Sequence, residues 1–424
     1  MKNPAEQFPL QEPHPKQDQA KQEKGTDINT KDKKHEDSNE QFKGESPNVE
    51  IYVTDHNLRY PDAVSVEDEY ELYKEMKDHG ISSIRFDWDW KDVAPQPGVT
   101  DKNFLDRYIG AIKAMEEAGL EPPTLVLSNP PEWAAKLYRN DKEKFFKAYE
   151  EYVRSVGETL GQANVKIKAA QIFNEINHSL LSKYVDIKDI PKITGIVRNE
   201  LSRTQPDLKI STSLIVSNVN DRIAKTVGLP KVSDFIARYK LMLKENFDRV
   251  SVDFYPGFWH NPLKGKKAFK QLNPLKKVFE QLAALGMEYE VGETGFPTDI
   301  LGSTERGQRY FYDSFFRAFR QLLIDLKSRN IALPKRIGLY ETQDEENISF
   351  GGKTEKLLKM NAIKKLSRKL PNPEYHMGLK DKEGKPKSIL QGSLHPKESK
   401  TDKEQEMSRL KRIINYINRP VKKN

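Results

Sequence analysis

From Val49 to Tyr340 the chain repeats one unit, a short β-branched or apolar run followed by a longer segment with apolar residues at helical spacing. The predicted strands are Val49–Val53, Ser82–Phe86, Thr124–Leu127, Ile167–Phe173, Leu208–Thr212, Arg249–Phe254, Met287–Gly292 and Arg336–Tyr340. The predicted helices cover Val66–His79, Asn103–Ala118, Glu143–Leu160, Ile193–Arg203, Val232–Glu245, Ala268–Leu285 and Glu305–Arg329, with Leu357–Leu370 as the eighth. Strands that alternate with helices imply crossovers and a parallel sheet. Eight units in a chain of 424 residues fit an α/β fold of the closed (β/α)8 TIM-barrel type. An open doubly wound sheet is the alternative, but it normally has fewer strands and a glycine-rich first turn, which this chain lacks.

The barrel accounts for the middle of the chain and not its ends. Hydrophobic content is 36%, low for a single globule and consistent with polar tails around an ordinary core. Residues 1–47 are almost free of aliphatic side chains, so they read as a disordered polar tail. Residues 48–392 read as the barrel domain, and 393–424 as a polar linker and a short helical extension. In that extension Met407, Leu410, Ile413, Ile414 and Ile417 recur at helical spacing. The stripe is expected to pack on the barrel or on a partner or surface. Arg409, Lys411 and Arg412 beside it leave a membrane-surface helix as a minor reading.

Net charge is +8, but lysine and glutamate are interleaved along the chain, which suits a solvated surface better than a nucleic-acid site. No run is long and apolar enough to span a membrane. Met1-Lys2-Asn3-Pro4 lacks a signal-peptide core, so the sequence reads as cytoplasmic, or as secreted if a signal was removed. With no cysteine, disulfides, thiolate metal sites and thiol nucleophiles are excluded. The eight histidines show no metal-binding spacing, so neither a catalytic metal nor another cofactor is expected. Gly351-Gly352-Lys353-Thr354 lacks the earlier glycine of a phosphate loop, where Asn347 stands.

A TIM barrel places its chemistry at the C-terminal ends of the strands. There the sequence offers Arg85, Asp87, Trp88, Asp89 and Trp90 after the second strand, and Asn129, Glu132 and Trp133 after the third. Asn174, Glu175 and His178 follow the fourth, Tyr255, Trp259 and His260 the sixth, Glu293 ends the seventh, and Tyr340 and Glu341 end the eighth. All four tryptophans lie in these segments, as aromatic faces suited to sugar rings. Glu175 and Glu293 both leave apolar strands, and two carboxyl groups facing one cleft are the requirement for cleaving a glycosidic bond. Glu290 competes with Glu293, but an odd offset places it on the opposite strand face.

Ile84-Arg85-Phe86-Asp87-Trp88, Val93-Ala94-Pro95-Gln96-Pro97-Gly98, Phe173-Asn174-Glu175 and Glu293-Thr294-Gly295-Phe296-Pro297 together resemble the clan A glycoside hydrolases, retaining (β/α)8 barrels. The segment from Gly378 to Lys387 resembles the tail after their last strand, so the likeness spans about Val49 to Leu390. It implies cleavage of a β-linked oligo- or polysaccharide by double displacement, with Glu175 as acid/base and Glu293 as nucleophile. It further implies that Asn174 holds the sugar 2-hydroxyl and that Arg85 and Tyr255 aim the nucleophile. Trp88, Trp90, Trp133, Asn129, His178, Trp259 and Tyr340 are the remaining expected substrate contacts. The clan often has Trp after the eighth strand where Tyr340 and Glu341 stand here, and some members have His in place of Asn129. A carbohydrate-binding barrel with lost or weakened catalysis is the alternative, since fold does not fix function.

Overall fold

The computed structural model describes residues 47–56, 58, 66–178, 185–216, 231–256, 270–296, 305–341, 379–380, 385–387, 389–390 and 408–419. The predicted eighth helix, Leu357–Leu370, lies outside the described residues, as do the N-terminal tail, Trp259 and His260.

Eight parallel strands close into a barrel in chain order. They are β1 (Glu50–Asp55), β2 (Ser83–Asp87), β3 (Glu121–Leu127), β4 (Ala169–Ile172), β5 (Lys209–Val216), β6 (Arg249–Phe254), β7 (Glu288–Thr294) and β8 (Arg336–Leu339). The β1–β8 pairing, Glu50 opposite Arg336 through Val53 opposite Leu339, seals the barrel. The helices around it are α1 (Val66–Asp78), α2 (Trp90–Val93), α3 (Lys102–Glu117), α4 (Glu132–Asn140), α5 (Lys142–Ala163) and α6 (Ile190–Leu201). They continue as α7 (Val232–Asn246), α8 (Asn273–Ala284), α9 (Glu305–Ser328) and α10 (Arg409–Ile417). Helix ends follow local chemistry. The Asp101 and Asp141 carboxylates accept from the backbone N–H groups of Phe104 and Lys144 and so cap α3 and α5, and Asn164 closes α5 in a left-handed conformation.

The apolar core lies between the strands and the helices. Ile84, Phe86, Leu125, Leu127, Ile172, Ile210, Val250, Val252 and Val291 are fully buried there against the apolar stripes of the helices. The barrel interior is polar instead. Contacts between strands that are not neighbours show this, because they must cross the interior. Tyr52 of β1 donates to the Gly292 carbonyl of β7 at 2.7 Å, and Arg336 of β8 donates to Thr124 of β3 at 3.3 Å. Arg249 and Arg336 flank the buried Glu290 at 3.0 and 3.7 Å, and Ser251 donates to it at 2.7 Å. Nearer the N-terminal end, Lys168 joins Glu50 and Glu121, while Lys209 and Lys335 share Glu288.

Such an interior requires space at two glycines. A Cβ on Gly338 would lie 2.0 Å from the Gly292 carbonyl and 2.6 Å from the Tyr52 ring, and one on Gly292 would lie 2.2 Å from Asp253 Oδ1. Between β6 and β7 the register shifts: Ser251 faces Glu290 and Val252 faces Val291, but Asp253 faces Glu293. This irregularity corrects the expectation for Glu290. The inserted residue rephases the strand, so Glu290 and Glu293 both turn inward at different depths.

At the other end, α10 belongs to the barrel body. Leu410, Ile413, Ile414 and Ile417 are buried, with Ile414 against Gly80, and Arg409 pairs with Asp313 of α9. The Asn418 side chain accepts from the Val49 N–H at 2.7 Å and donates to the Val49 carbonyl at 3.0 Å. The membrane-surface reading of this helix therefore loses its apolar face. No helix among the described residues is long and apolar enough to cross a membrane.

Candidate active site

Arg85 organises the C-terminal mouth of the barrel. Its guanidinium can only donate, so the orientation of each neighbouring amide and hydroxyl follows from it. Nε faces Gln171 Oε1 at 3.4 Å, Nη2 faces Asn174 Oδ1 at 3.2 Å, and Nη1 pairs with Glu293 Oε1 at 2.7 Å. Gln171 then turns its amide toward the Phe173 carbonyl and Asn174 Oδ1, at 3.3 and 3.0 Å. Ser213 of β5 gives its one proton to Asn174 Oδ1 at 2.7 Å and accepts from the Glu175 N–H at 2.7 Å. Asn174 Oδ1 is thus held by three donors, and its NH2 group is the end left to meet a ligand.

Glu293 is 5% exposed and gripped on both oxygens, by Arg85 on Oε1 and by the Tyr255 hydroxyl on Oε2 at 2.5 Å. Burial, and next the Glu293 charge, push the Tyr255 hydroxyl well above its usual range, so it remains a donor. Burial works against the Arg85 charge, but Glu293 and Asp87 more than offset it and raise its pKa. A fixed cation on one oxygen and a fixed hydroxyl on the other hold the Glu293 carboxyl in a single orientation.

Glu175 follows β4 in a half-buried turn. Phe173 and Glu175 have φ values of 56° and 50°, a left-handed conformation uncommon for such side chains. The turn is held by Ser213 on the Glu175 N–H and by the His178 N–H on the Glu175 carbonyl at 2.7 Å. Backbone strain of this kind persists where surrounding contacts enforce it, and it clusters at functional sites. Glu293, by contrast, is buried beside Arg85.

A second cluster closes the mouth between β1, β2 and β8. His56 Nδ1 lies 2.9 Å from Glu341 Oε2, and Nε2 lies 3.4 Å from Asp87 Oδ2. The Tyr340 ring packs edge-on against His56 and Tyr255, at 5.2 and 6.2 Å. Tyr340 thus sits among the site residues, and Arg85 Nη1 lies 4.0 Å from Asp87. Among the described residues there is no grouping of side chains able to hold a metal ion.

Several expected contacts lie elsewhere. Arg85 and Asp87 point into the barrel, so strand alternation sends Trp88 outward, where it is fully buried against Tyr108. The short α2 turns Trp90 toward α5, stacked on Tyr152 at 5.4 Å and 1% exposed. Trp88 and Trp90 are therefore core residues and not sugar platforms. Trp133 packs edge-on against Trp90 and donates to the Ala94 carbonyl at 3.3 Å. The Asn129 amide is turned to Asp89, at 2.9 Å from each carboxylate oxygen, so it holds the loop instead of reaching outward. Sequence reasoning missed His56, Gln171, Ser213 and Asp253. Three of them lie inside strands at positions of the inward-facing parity, and that parity is the signal that could have found them.

No family model matches the chain, and no curated protein matches it in sequence. Solved structures do match in fold. An exo-β-1,4-mannosidase from Opitutaceae bacterium strain TAV5 aligns over 87% of this chain at 16% identity, with a TM-score of 0.55. The chain spans 59% of that mannosidase's length. A GH5_18 protein of Streptomyces cattleya, solved with GlcNAc, aligns over 89% of this chain and 82% of its own, at 12% identity and a TM-score of 0.57. A GH5_18 protein of Bifidobacterium longum subsp. infantis aligns over 80% and 76%, at 12% identity and a TM-score of 0.56. In fold, then, this chain is a (β/α)8 barrel like those of these solved structures.

Proposed function

We propose that the protein is a retaining β-glycoside hydrolase that cleaves β-linked oligo- or polysaccharides. Glu293 attacks the anomeric carbon while Glu175 protonates the departing oxygen, and Glu175 then deprotonates the water that releases the sugar. The Asn174 NH2 group takes the 2-hydroxyl, a contact that strengthens as the transition state forms. The observation that carries this reading is the double grip of Arg85 and Tyr255 on Glu293, with Asn174 held by the same arginine. His178 and Tyr340 are proposed to line the sugar site beside these residues. Trp259, after β6, remains a proposed stacking face from its place in the sequence alone. The barrels similar in fold bear the names of mannosidase and GH5_18 proteins, which supports a carbohydrate substrate.

The test begins with chromogenic β-glycosides of several sugars, following the anomer of the first-formed product by NMR. Retention is expected, and an inverted product would exclude double displacement. Glu293→Gln should abolish turnover of every substrate, since no glycosyl-enzyme can form. Glu175→Ala should keep the first step on aryl glycosides with good leaving groups and slow the second, with azide restoring turnover. If the wild type binds polysaccharide but hydrolyses none, the protein is a binding barrel.

A further inference from the structure

Asp253 of β6 is fully buried in the barrel interior, and neither carboxyl oxygen makes a hydrogen bond of good geometry, the Ser213 hydroxyl lying beside it. It lies behind the nucleophile, since Asp253 and Glu293 oppose each other in the β6–β7 register. Gly292 lacks the side chain that would fill this space. The charged and titratable groups around it are Glu293 and Glu290 of β7, Arg85 of β2, Tyr52 of β1 and Tyr255 at the end of its own strand. A bare carboxylate in this place would be a buried charge beside two other carboxylates, with the neighbouring Arg85 already paired to Glu293.

Protons can be counted outward from Arg85. Ser213, beside Asp253 on the adjacent strand, has one proton, and Asn174 Oδ1 takes it. The Ser213 oxygen accepts from the Glu175 N–H and has one lone pair left. It cannot donate to an Asp253 carboxylate without releasing Asn174, but it can accept from an Asp253 carboxylic acid. We propose that Asp253 is a positioning residue that carries its own proton and donates through Ser213 to the Asn174 amide that meets the substrate. Burial, followed by the Glu293 charge, pushes its carboxyl well above the usual carboxylate range, which keeps the proton in place. A chain of hydrogen bonds running in one direction polarises each member, so the relay strengthens donation by Asn174. It also leaves the charge of Arg85 to Glu293.

The relay rests on the proposed glycosidase reading, but the protonation state does not, so the two fail separately. Infrared difference spectra of the substrate-free protein, wild type against Asp253→Asn, should show a carboxylic acid C=O band at neutral pH that the substitution removes. In Glu293→Gln the same band should titrate away at lower pH, because the neighbouring anion is gone. If no such band is lost at neutral pH, Asp253 is ionised and the proposal is wrong, whatever the enzyme turns over. With active enzyme, Asp253→Leu should lower kcat about tenfold on glycosides with a 2-hydroxyl. It should cost nothing further on 2-deoxy glycosides, and Asp253→Asn should recover much of the loss through its NH2 donor. An equal loss on both substrates would mean that Asp253 only packs the interior, and the relay would be discarded.

Discussion

Glu290 and Glu293 are identical side chains on one strand, and their neighbours set them to different tasks. Glu293 has one cation and one hydroxyl and faces the mouth, whereas Glu290 is enclosed by Arg249, Arg336, Ser251 and Tyr52. Burial alone would raise the pKa of Glu290, but Arg249 and Arg336 more than offset it and hold it below the ordinary value. A carboxyl depressed in the folded state stabilises the fold above its unfolded pKa of 4.5, and that stability is lost as pH falls through the lower folded value. Glu290→Gln leaves two buried guanidinium groups short of an anion and should cost about 3–5 kcal/mol in urea unfolding at neutral pH. The gap between variant and wild type should narrow as the pH drops below that carboxylate range. A gap that stays constant with pH would show that the loss is one of packing and not of charge.

At the scale of the element, the outward strand faces were legible in the sequence and the inward faces were not. Strand rhythm is a pattern of apolar residues, and the apolar faces here meet helices, so all eight strands were found within a few residues. The inward faces are polar, and polar residues in a strand look the same whether they face a barrel interior or water. Ser213 and Asp253 were overlooked for that reason. The β6–β7 shift defeats parity counting altogether, because one inserted residue changes the face of everything after it. Helix α4 falls outside the predicted helices because it is short and follows Pro130-Pro131. Glu175 and Glu293, the proposed catalytic pair, stand out as candidates in the sequence because one follows β4 and the other lies at the end of β7, and strand ends are where a barrel places chemistry. The bulge itself is testable. The Cβ of Gly292→Ala would lie 2.2 Å from Asp253 Oδ1 and 2.8 Å from Ser251 Cβ, which forces the strand or the carboxyl to move. Overpacking of this kind costs ~1–3 kcal/mol. Turnover should fall along with the melting temperature, since Glu293 follows directly. A variant as stable and as active as wild type would show that the bulge has room that the geometry denies.

On the scale of the whole molecule, the two ends of the chain differ in composition. The first 46 residues carry few groups able to form a core, whereas α10 places Leu410, Ile413, Ile414 and Ile417 against the barrel. Asn418 pairs with both backbone groups of Val49, immediately before β1, and β1 is the strand that joins β8 to close the barrel. The last described helix thus ties down the start of the first strand. Fully burying one such aliphatic side chain contributes ~1.5–3 kcal/mol, so loss of four would consume much of a domain's ~5–15 kcal/mol of stability. Removal of the residues before Pro47 should leave the melting temperature and turnover unchanged. Removal of everything after residue 407 should lower the melting temperature by many degrees or prevent folding. Asn418→Ala separates the clasp from the apolar face, because it leaves the isoleucines in place and should cost only about 1–3 kcal/mol from the unmet Val49 groups. If the C-terminal truncation melts like wild type, α10 is an ornament on a barrel that closes without it. If the N-terminal truncation is the one that destabilises, the tail packs on the barrel despite its composition.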